Sequence, residues 1–331
     1  MLSSDVILII FFLAQTGIGL LGNCTLFMMY VSVIISQPHR KKSTDLILTH
    51  LTMANMVTLL TQAAPGMVMA FGLKTLVDNI GCQIVLYMRR VARGLSICTT
   101  CLLSVFQAIT ISPSTSLWAR LKSRAPKCIL PSFLFFWILN MLVDMNFLKS
   151  VVVPSNVTII LHGYYRKSCS SSLRVIFFNE VAFMSAMTMR DLIFMILMSW
   201  ASGYMVLVLY QHRKQVEHIH STSLSPKSSA ETRATQTILL LVTCFVCFYC
   251  INSGIVLLNY TDEKDLILYD VATFLGACYA FLCPLVLISS DPRVPRPQCG
   301  PMKMSELSAS VDPCGEPQIT FLSNSLSIPP L

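Results

Sequence analysis

Six polar residues lie at spacings that would let them act together. Arg89, Arg93, Ser96, Thr100, Ser104 and Gln107 recur at steps of 4, 3, 4, 4 and 3 residues. On a helix turning ~100° per residue, these steps confine the six side chains to an arc of about 80°. One end of the stripe is cationic and the other neutral. A guanidinium followed by hydroxyls is suited to holding an anion or a carbonyl group, which makes Arg89, Arg93, Ser96 and Thr100 candidate ligand contacts. Two other fates stay open for the arginines: snorkelling to lipid headgroups, or pairing with Asp144, Glu180, Asp191 or Asp270. Asp144 and Asp270 each fall about one turn inside an apolar stretch, where either could line a pocket or anchor a polar network. Asp270 is accordingly a further candidate ligand contact.

The other reactive patterns are weaker. Cys98-x-x-Cys101 and Cys247-x-x-Cys250 have metal or redox spacing, yet both sit in apolar sequence with no histidine or second cysteine pair nearby. No His-Glu-x-x-His motif occurs, and His212, His218 and His220 lie among charges and read as solvated. The chain is therefore expected to bind no metal or cofactor and to catalyse no reaction.

The elements that must carry the stripe are long and apolar. Uncharged runs cover Val6 to His39, Leu46 to Leu73, Gly94 to Ala119, Leu192 to Gln211 and Ala234 to Thr261. Two more, Cys128 to Leu148 and Leu266 to Ser290, are broken only by Asp144 and Asp270. A hydrocarbon core of ~30 Å needs about 20 helical residues, so each run can cross a bilayer. Composition agrees: 54% of residues are hydrophobic and 12% charged, against roughly 25% charged in soluble domains. The expectation is an all-α membrane protein, a seven-helix bundle over 1–292. Its helices are predicted near 6–35, 46–73, 83–112, 128–148, 190–211, 235–258 and 267–289. A Pro- and Ser-rich tail, expected to be disordered, follows over 293–331.

Lys and Arg placement sets the expected orientation, because cytoplasmic loops carry the excess. With the N-terminus outside and the C-terminus cytoplasmic, the inner segments hold 14 of the 24 basic residues. No basic residue precedes the first helix and three follow it, which argues against a cleaved signal peptide. Most of the 13 cysteines then fall inside helices, where they read as small apolar contact residues. Cys82 and Cys169 instead fall on the oxidising outer side, and a bridge between them would pin the second outer loop over the bundle. Asn156-Val157-Thr158 lies in that same loop and Asn259-Tyr260-Thr261 in the loop after the sixth helix. Both have N-glycosylation form, with Asn156 the preferred acceptor. Arg120, Lys122, Arg213, Lys214 and Arg233 stand at the ends of inner loops. They are natural contacts for a cytoplasmic partner, although anchoring to anionic lipid explains the same charges.

Several long strings resemble one receptor family. They include Thr44-Asp45-Leu46-Ile47-Leu48-Thr49-His50-Leu51 and Arg90-Val91-Ala92-Arg93-Gly94-Leu95-Ser96-Ile97-Cys98-Thr99-Thr100-Cys101. Trp137-Ile138-Leu139-Asn140, Trp200-Ala201-Ser202-Gly203 and Ser225-Pro226-Lys227-Ser228-Ser229-Ala230-Glu231-Thr232-Arg233 belong with them. Together these are similar to vomeronasal type-1 receptors, and the resemblance runs over roughly residues 1 to 293. It implies a multi-pass G-protein-coupled receptor of the plasma membrane that detects small pheromone or odorant molecules and couples to a Gi/Go-type heterotrimeric G protein. It also implies the Cys82–Cys169 bridge and a glycan at Asn156. Nucleic acid is not an expected partner.

The chain departs from rhodopsin-like receptors in general. Ser104-Val105-Phe106 stands where Asp-Arg-Tyr is usual, Asn55 where the second helix usually carries Asp, and Cys283-Pro284-Leu285-Val286-Leu287 where Asn-Pro-x-x-Tyr is usual. An arginine-based ionic lock is therefore absent from the expected activation machinery. The tail to Leu331 also departs from the family's short ending, so a non-signalling remnant is one alternative. A transporter or channel is the other. The sequence shows neither repeated halves nor an acid near a helix centre, as transport would want, and the last apolar stretch lacks the lysine of a retinal protein.

Overall fold

A computed structural model of the chain describes residues 2–36, 42–71, 79–113, 118–145, 177–219, 230–261 and 266–291. The chain divides into a unit Met1–Val294 and a unit Pro295–Leu331, and the second lies outside the described residues. The first unit consists of helices α1 (Leu2–Ser36), α2 (Ser43–Phe71), α3 (Asn79–Ile111), a single turn α4 (Ala119–Lys122), α5 (Ala125–Asp144), α6 (Phe177–Ile219), α7 (Ala230–Thr261) and α8 (Leu266–Ser290). All but α4 are long and apolar enough to cross a membrane, giving seven spans among the described residues.

The surface of the bundle is inverted relative to a soluble protein. Leu21, Met28, Leu130, Leu134, Ile196 and Trp200 all point outward and exposed, while Asn23, Asn55, Ser104, Asn140 and Asp144 are fully buried. Such a surface is stable only against hydrocarbon, so the chain is a multi-pass membrane protein. α3 is the hub: 78% of its spanning window is buried, against 17–44% for the other six. It packs on α2, α5, α6 and α7, while α8 packs on α1, α2 and α7.

Local polar bonds pin these contacts. His50 on α2 is buried and stacks on Phe133 of α5, with ring centroids 4.2 Å apart. The indole N–H of Trp137 donates to His50 Nε2 at 3.1 Å. Because Trp137 can only donate, Nε2 is the unprotonated nitrogen, and Nδ1–H donates to Thr99 Oγ1 on α3 at 2.9 Å. One neutral imidazole therefore joins three helices. Nearby, Asn23 on α1 donates to the Ala280 carbonyl of α8 at 2.9 Å, and Ser96 Oγ donates to Asn55 Oδ1 at 3.0 Å.

Three expectations need correction. α6 begins at Phe177 rather than near 190, so Arg190 and Asp191 lie inside the helix instead of opening it. Paired charges need not end a helix, because each neutralises the other's cost. Asn259 sits in the last turn of α7, not in a loop beyond it. Among the cysteines, Cys98, Cys101, Cys278 and Cys283 are buried at helix contacts and Cys24, though exposed, reaches Met56 of α2 at 3.4 Å, but Cys128, Cys247 and Cys250 are exposed on the lipid-facing surface.

α3 and α5 approach closely at Gly94. A Cβ built there would run into Asn140 Oδ1 and lie 3.1 Å from Arg190 Nη1, whereas a Cβ at Gly203 would meet nothing within 4 Å. Gly94→Ala should therefore destabilise the bundle by about 1–3 kcal/mol, the usual cost of overpacking. Gly203→Ala should stay within about 0.5 kcal/mol of the parent. Thermal unfolding of the two purified variants in detergent checks this, and equal melting temperatures would contradict the close approach.

Candidate functional site

The stripe foreseen on α3 runs along the helix's inward face. Ser96, Thr100, Ser104 and Gln107 are buried, and Arg89 and Arg93 are partly buried. The stripe reaches three other helices. Arg89 Nη2 donates to the Thr273 carbonyl of α8 at 3.5 Å, and Ser96 meets Asn55 of α2. Thr100 Oγ1 and Tyr279 Oη of α8 lie 2.9 Å apart, and Gln107 Nε2 donates to Thr235 Oγ1 of α7 at 3.2 Å.

A network of buried charge sits at the end of the bundle where α3 begins. Arg190 of α6 donates from Nη1 to Asn140 Oδ1 and to Asp144 Oδ2 on α5, both at 3.0 Å, and from Nε to Asp191 Oδ1 at 2.9 Å. Arg90 of α3 faces the other oxygen of Asp144 at 3.5 Å. Two guanidiniums and two carboxylates therefore offset one another in a largely buried setting. The free oxygen of Asp191 accepts from Tyr249 Oη of α7 at 3.1 Å, which fixes that ring.

Arg93 stands outside this balance. Its guanidinium carbon lies 5.4 Å from the centre of the Tyr249 ring, and among the described residues it makes no ion pair. A cation–π contact returns about 0.5–2 kcal/mol, less than the several kcal/mol that removing an ion from water costs. Arg93 and Ser96 border a partly open cavity of about 30 Å³ also lined by Tyr249 and Asn252 of α7 and Gly276 and Tyr279 of α8. Asn252 is buried, and its Oδ1 has no hydrogen-bond partner. The site offers a cation and an orphan acceptor on apolar walls, which can bind and orient a small molecule. Among the described residues, no group of His, Cys, Asp or Glu is arranged to hold a metal ion.

Several candidates fall elsewhere. Asp270 lies on α8, Cys82 on α3 and Arg213 on α6, but their side chains are outside the described residues, as are Cys169 and Asn156 altogether. Arg120, Lys122, Lys214 and Arg233 are exposed at the opposite end of the bundle. Sequence reasoning missed Arg190, Asn140, Tyr249 and Asn252. Asn140 and Asp144 carried a readable signal, since two polar residues four apart on an otherwise apolar helix share a face and need a common partner.

The chain matches the family model described as the vomeronasal organ pheromone receptor family over residues 6–299. It is 39% identical over 288 residues to vomeronasal type-1 receptor 4 of Homo sapiens, covering 86% of this chain and 94% of that protein. Vomeronasal type-1 receptor 3 of Homo sapiens is 38% identical over 302 residues, covering 89% and 94%. Olfactory receptor class A-like protein 1 of Danio rerio is 34% identical over 286 residues, covering 85% and 88%.

Removing one member of the charge network should cost far more than the network is worth. Asp144→Leu leaves buried Arg190 and partly buried Arg90 with a single carboxylate, and the expected loss is about 3–5 kcal/mol. Adding Arg190→Met to Asp144→Leu should recover part of that loss. Melting temperatures of the single and double variants test this, and a double variant worse than the sum of its parts would argue against pairing as the cause.

Proposed function

The chain belongs to the vomeronasal organ pheromone receptor family, and on that premise we propose that it is a chemosensory receptor whose small-molecule ligand enters the Arg93 cavity and whose opposite end activates a Gi/Go-type G protein. The observation that carries the reading is the cavity itself: a largely apolar hollow inside a seven-helix membrane bundle, holding a cation of α3 and an unpaired acceptor of α7. In this reading the N-terminus is outside and the C-terminus cytoplasmic. Arg93, Ser96 and Thr100 line the route of the ligand inward, with Arg89 and Asp270 at its entrance. A Cys82–Cys169 bridge holds the second outer loop over that entrance, and Asn156 on the same loop carries a glycan. Arg120, Lys122, Arg213, Lys214 and Arg233 meet the G protein at the inner ends of α4, α6 and α7.

Coupling is a shift in population between two packings of the bundle, driven by the ligand's different affinity for each. The resting packing is held at the inner end by neutral bonds. Gln107 donates to Thr235 at 3.2 Å, and Ser112 Oγ, just past the end of α3, lies 2.9 Å from Tyr204 Oη of α6. These contacts do the work an arginine-based lock would do, at about 1 kcal/mol each. Opening α7 and α6 away from α3 breaks them and exposes the inner face.

Gln107→Leu and Thr235→Val should each raise ligand-independent signalling about fivefold, the effect of losing about 1 kcal/mol from the resting state. Pertussis toxin should abolish that signal. Measurement in a cell line reporting G-protein dissociation, with surface display checked for each variant, tests both points. A basal signal that ignores the toxin would overturn the Gi/Go assignment, and no signal from any variant on the surface would favour a non-signalling remnant.

A further inference from the structure

Resting on that reading, we propose that the ligand is a lipophilic monoanion carrying a hydrogen-bond donor within a few atoms of its charged group, a β-hydroxy carboxylate being the simplest form. Three observations converge on this class.

The first is charge. Arg90 and Arg190 are neutralised by Asp144 and Asp191, at 3.5, 3.0 and 2.9 Å. Arg93 borders the cavity, with an aromatic face as its partner among the described residues. The network also fixes that face, since Asp191 accepts the Tyr249 hydroxyl at 3.1 Å. A guanidinium held on a rigid ring and bordering a hollow is prepared for an anion, whose arrival supplies a counter-charge that none of the described residues gives it.

The second is the orphan acceptor. Asn252 Oδ1 is buried on the same cavity without a donor. A ligand that brings a hydroxyl satisfies it, and a ligand without one leaves a buried acceptor unpaired, which is a source of discrimination between close analogues.

The third is size. Arg93 and Asn252 line one cavity of only about 30 Å³, roughly the space of two water molecules, so the groups that meet them lie side by side. Anion and donor must therefore be close together. Phe245, Phe248 and Leu275 line the same cavity and offer no polar partner, so what the ligand presents to them is hydrocarbon.

The test uses the full chain in the G-protein reporter line and four probes: decanoate, its β-hydroxy derivative, the methyl ester of that derivative, and the isomer with the hydroxyl at the far end. The β-hydroxy acid should be the most potent, about tenfold better than decanoate and the far-end isomer, and about a hundredfold better than the ester. Arg93→Gln should bring the acid and ester to equal potency, while Arg93→Lys, which keeps the charge, preserves the preference for the acid. Asn252→Leu should erase the advantage of the β-hydroxyl and leave the acid-over-ester preference intact. An ester as potent as its acid, or an acid preference that survives Arg93→Gln, overturns the proposal. So does silence towards all four probes from receptor on the cell surface. In that event a basal signal raised by Gln107→Leu in the same cells keeps the receptor reading standing while the ligand class falls, and the absence of any basal signal brings both down.

Discussion

A bilayer interior offers no hydrogen-bond partner, and every feature of this bundle follows from that constraint. Polar side chains that would face water in a soluble helix here converge on one another. α3 collects them because it is the helix with neighbours on every side. The alternation of hydroxyls, amides and guanidiniums down its inward face is a set of attachments: Ser96 to α2, Thr100 to α8, Gln107 to α7, and Thr99 on the adjacent face to His50. Each bond is modest by itself. Their common effect is to fix the register of the neighbouring helices on α3, something lipid-facing leucines cannot do because lipid tails are as apolar as they are.

The same constraint explains how far the sequence could be read. Seven spans were legible because hydrocarbon thickness dictates length and composition, and the α3 stripe was legible because helical geometry turns spacing into direction. What stayed hidden depended on partners far apart in the chain. Arg190 looked like the boundary charge of a helix, yet Asp144, 46 residues away, neutralises it and Asn140, 50 residues away, accepts a further hydrogen bond from it. Tyr249 and Asn252 are ordinary residues until α7 is docked against α3. The cysteines show the reverse failure. Cys98 and Cys247 carry the same local spacing motif, but one is buried and the other faces outward, because the helix's orientation within the bundle decides exposure and local spacing does not.

Neutralisation also sorts the arginines by role. Arg90 and Arg190 share Asp144, and Arg190 takes Asp191 as well, so both are committed to structure. Committed charges make poor ligand contacts, since a ligand would have to compete with a carboxylate already in place. Arg93 is on the same helix face as Arg89 and three residues from Arg90, yet Tyr249 is what it rests on. Position along the sequence could not separate these residues. Only the location of the carboxylates on α5 and α6 does so.

The two ends of the bundle are held by bonds of different strength, and this difference gives a direction to any movement. At the end where α3 begins, charge-assisted bonds from Arg190 tie α6 to α5, and Asp191 ties α6 to α7. Each of these bonds involves a buried charge and is worth about 1.5–3 kcal/mol. At the other end, the contacts of α3 and the residue that follows it with α7 and α6 include an amide–hydroxyl bond and a hydroxyl pair, each worth about 1 kcal/mol. A ligand shifts a two-state balance only by its difference in affinity between the states, which for a small molecule is a few kcal/mol. That is too little to open the ionic end and enough to release the neutral one. On the proposed function, this difference in strength makes the charge network the pivot and the neutral end the part that moves.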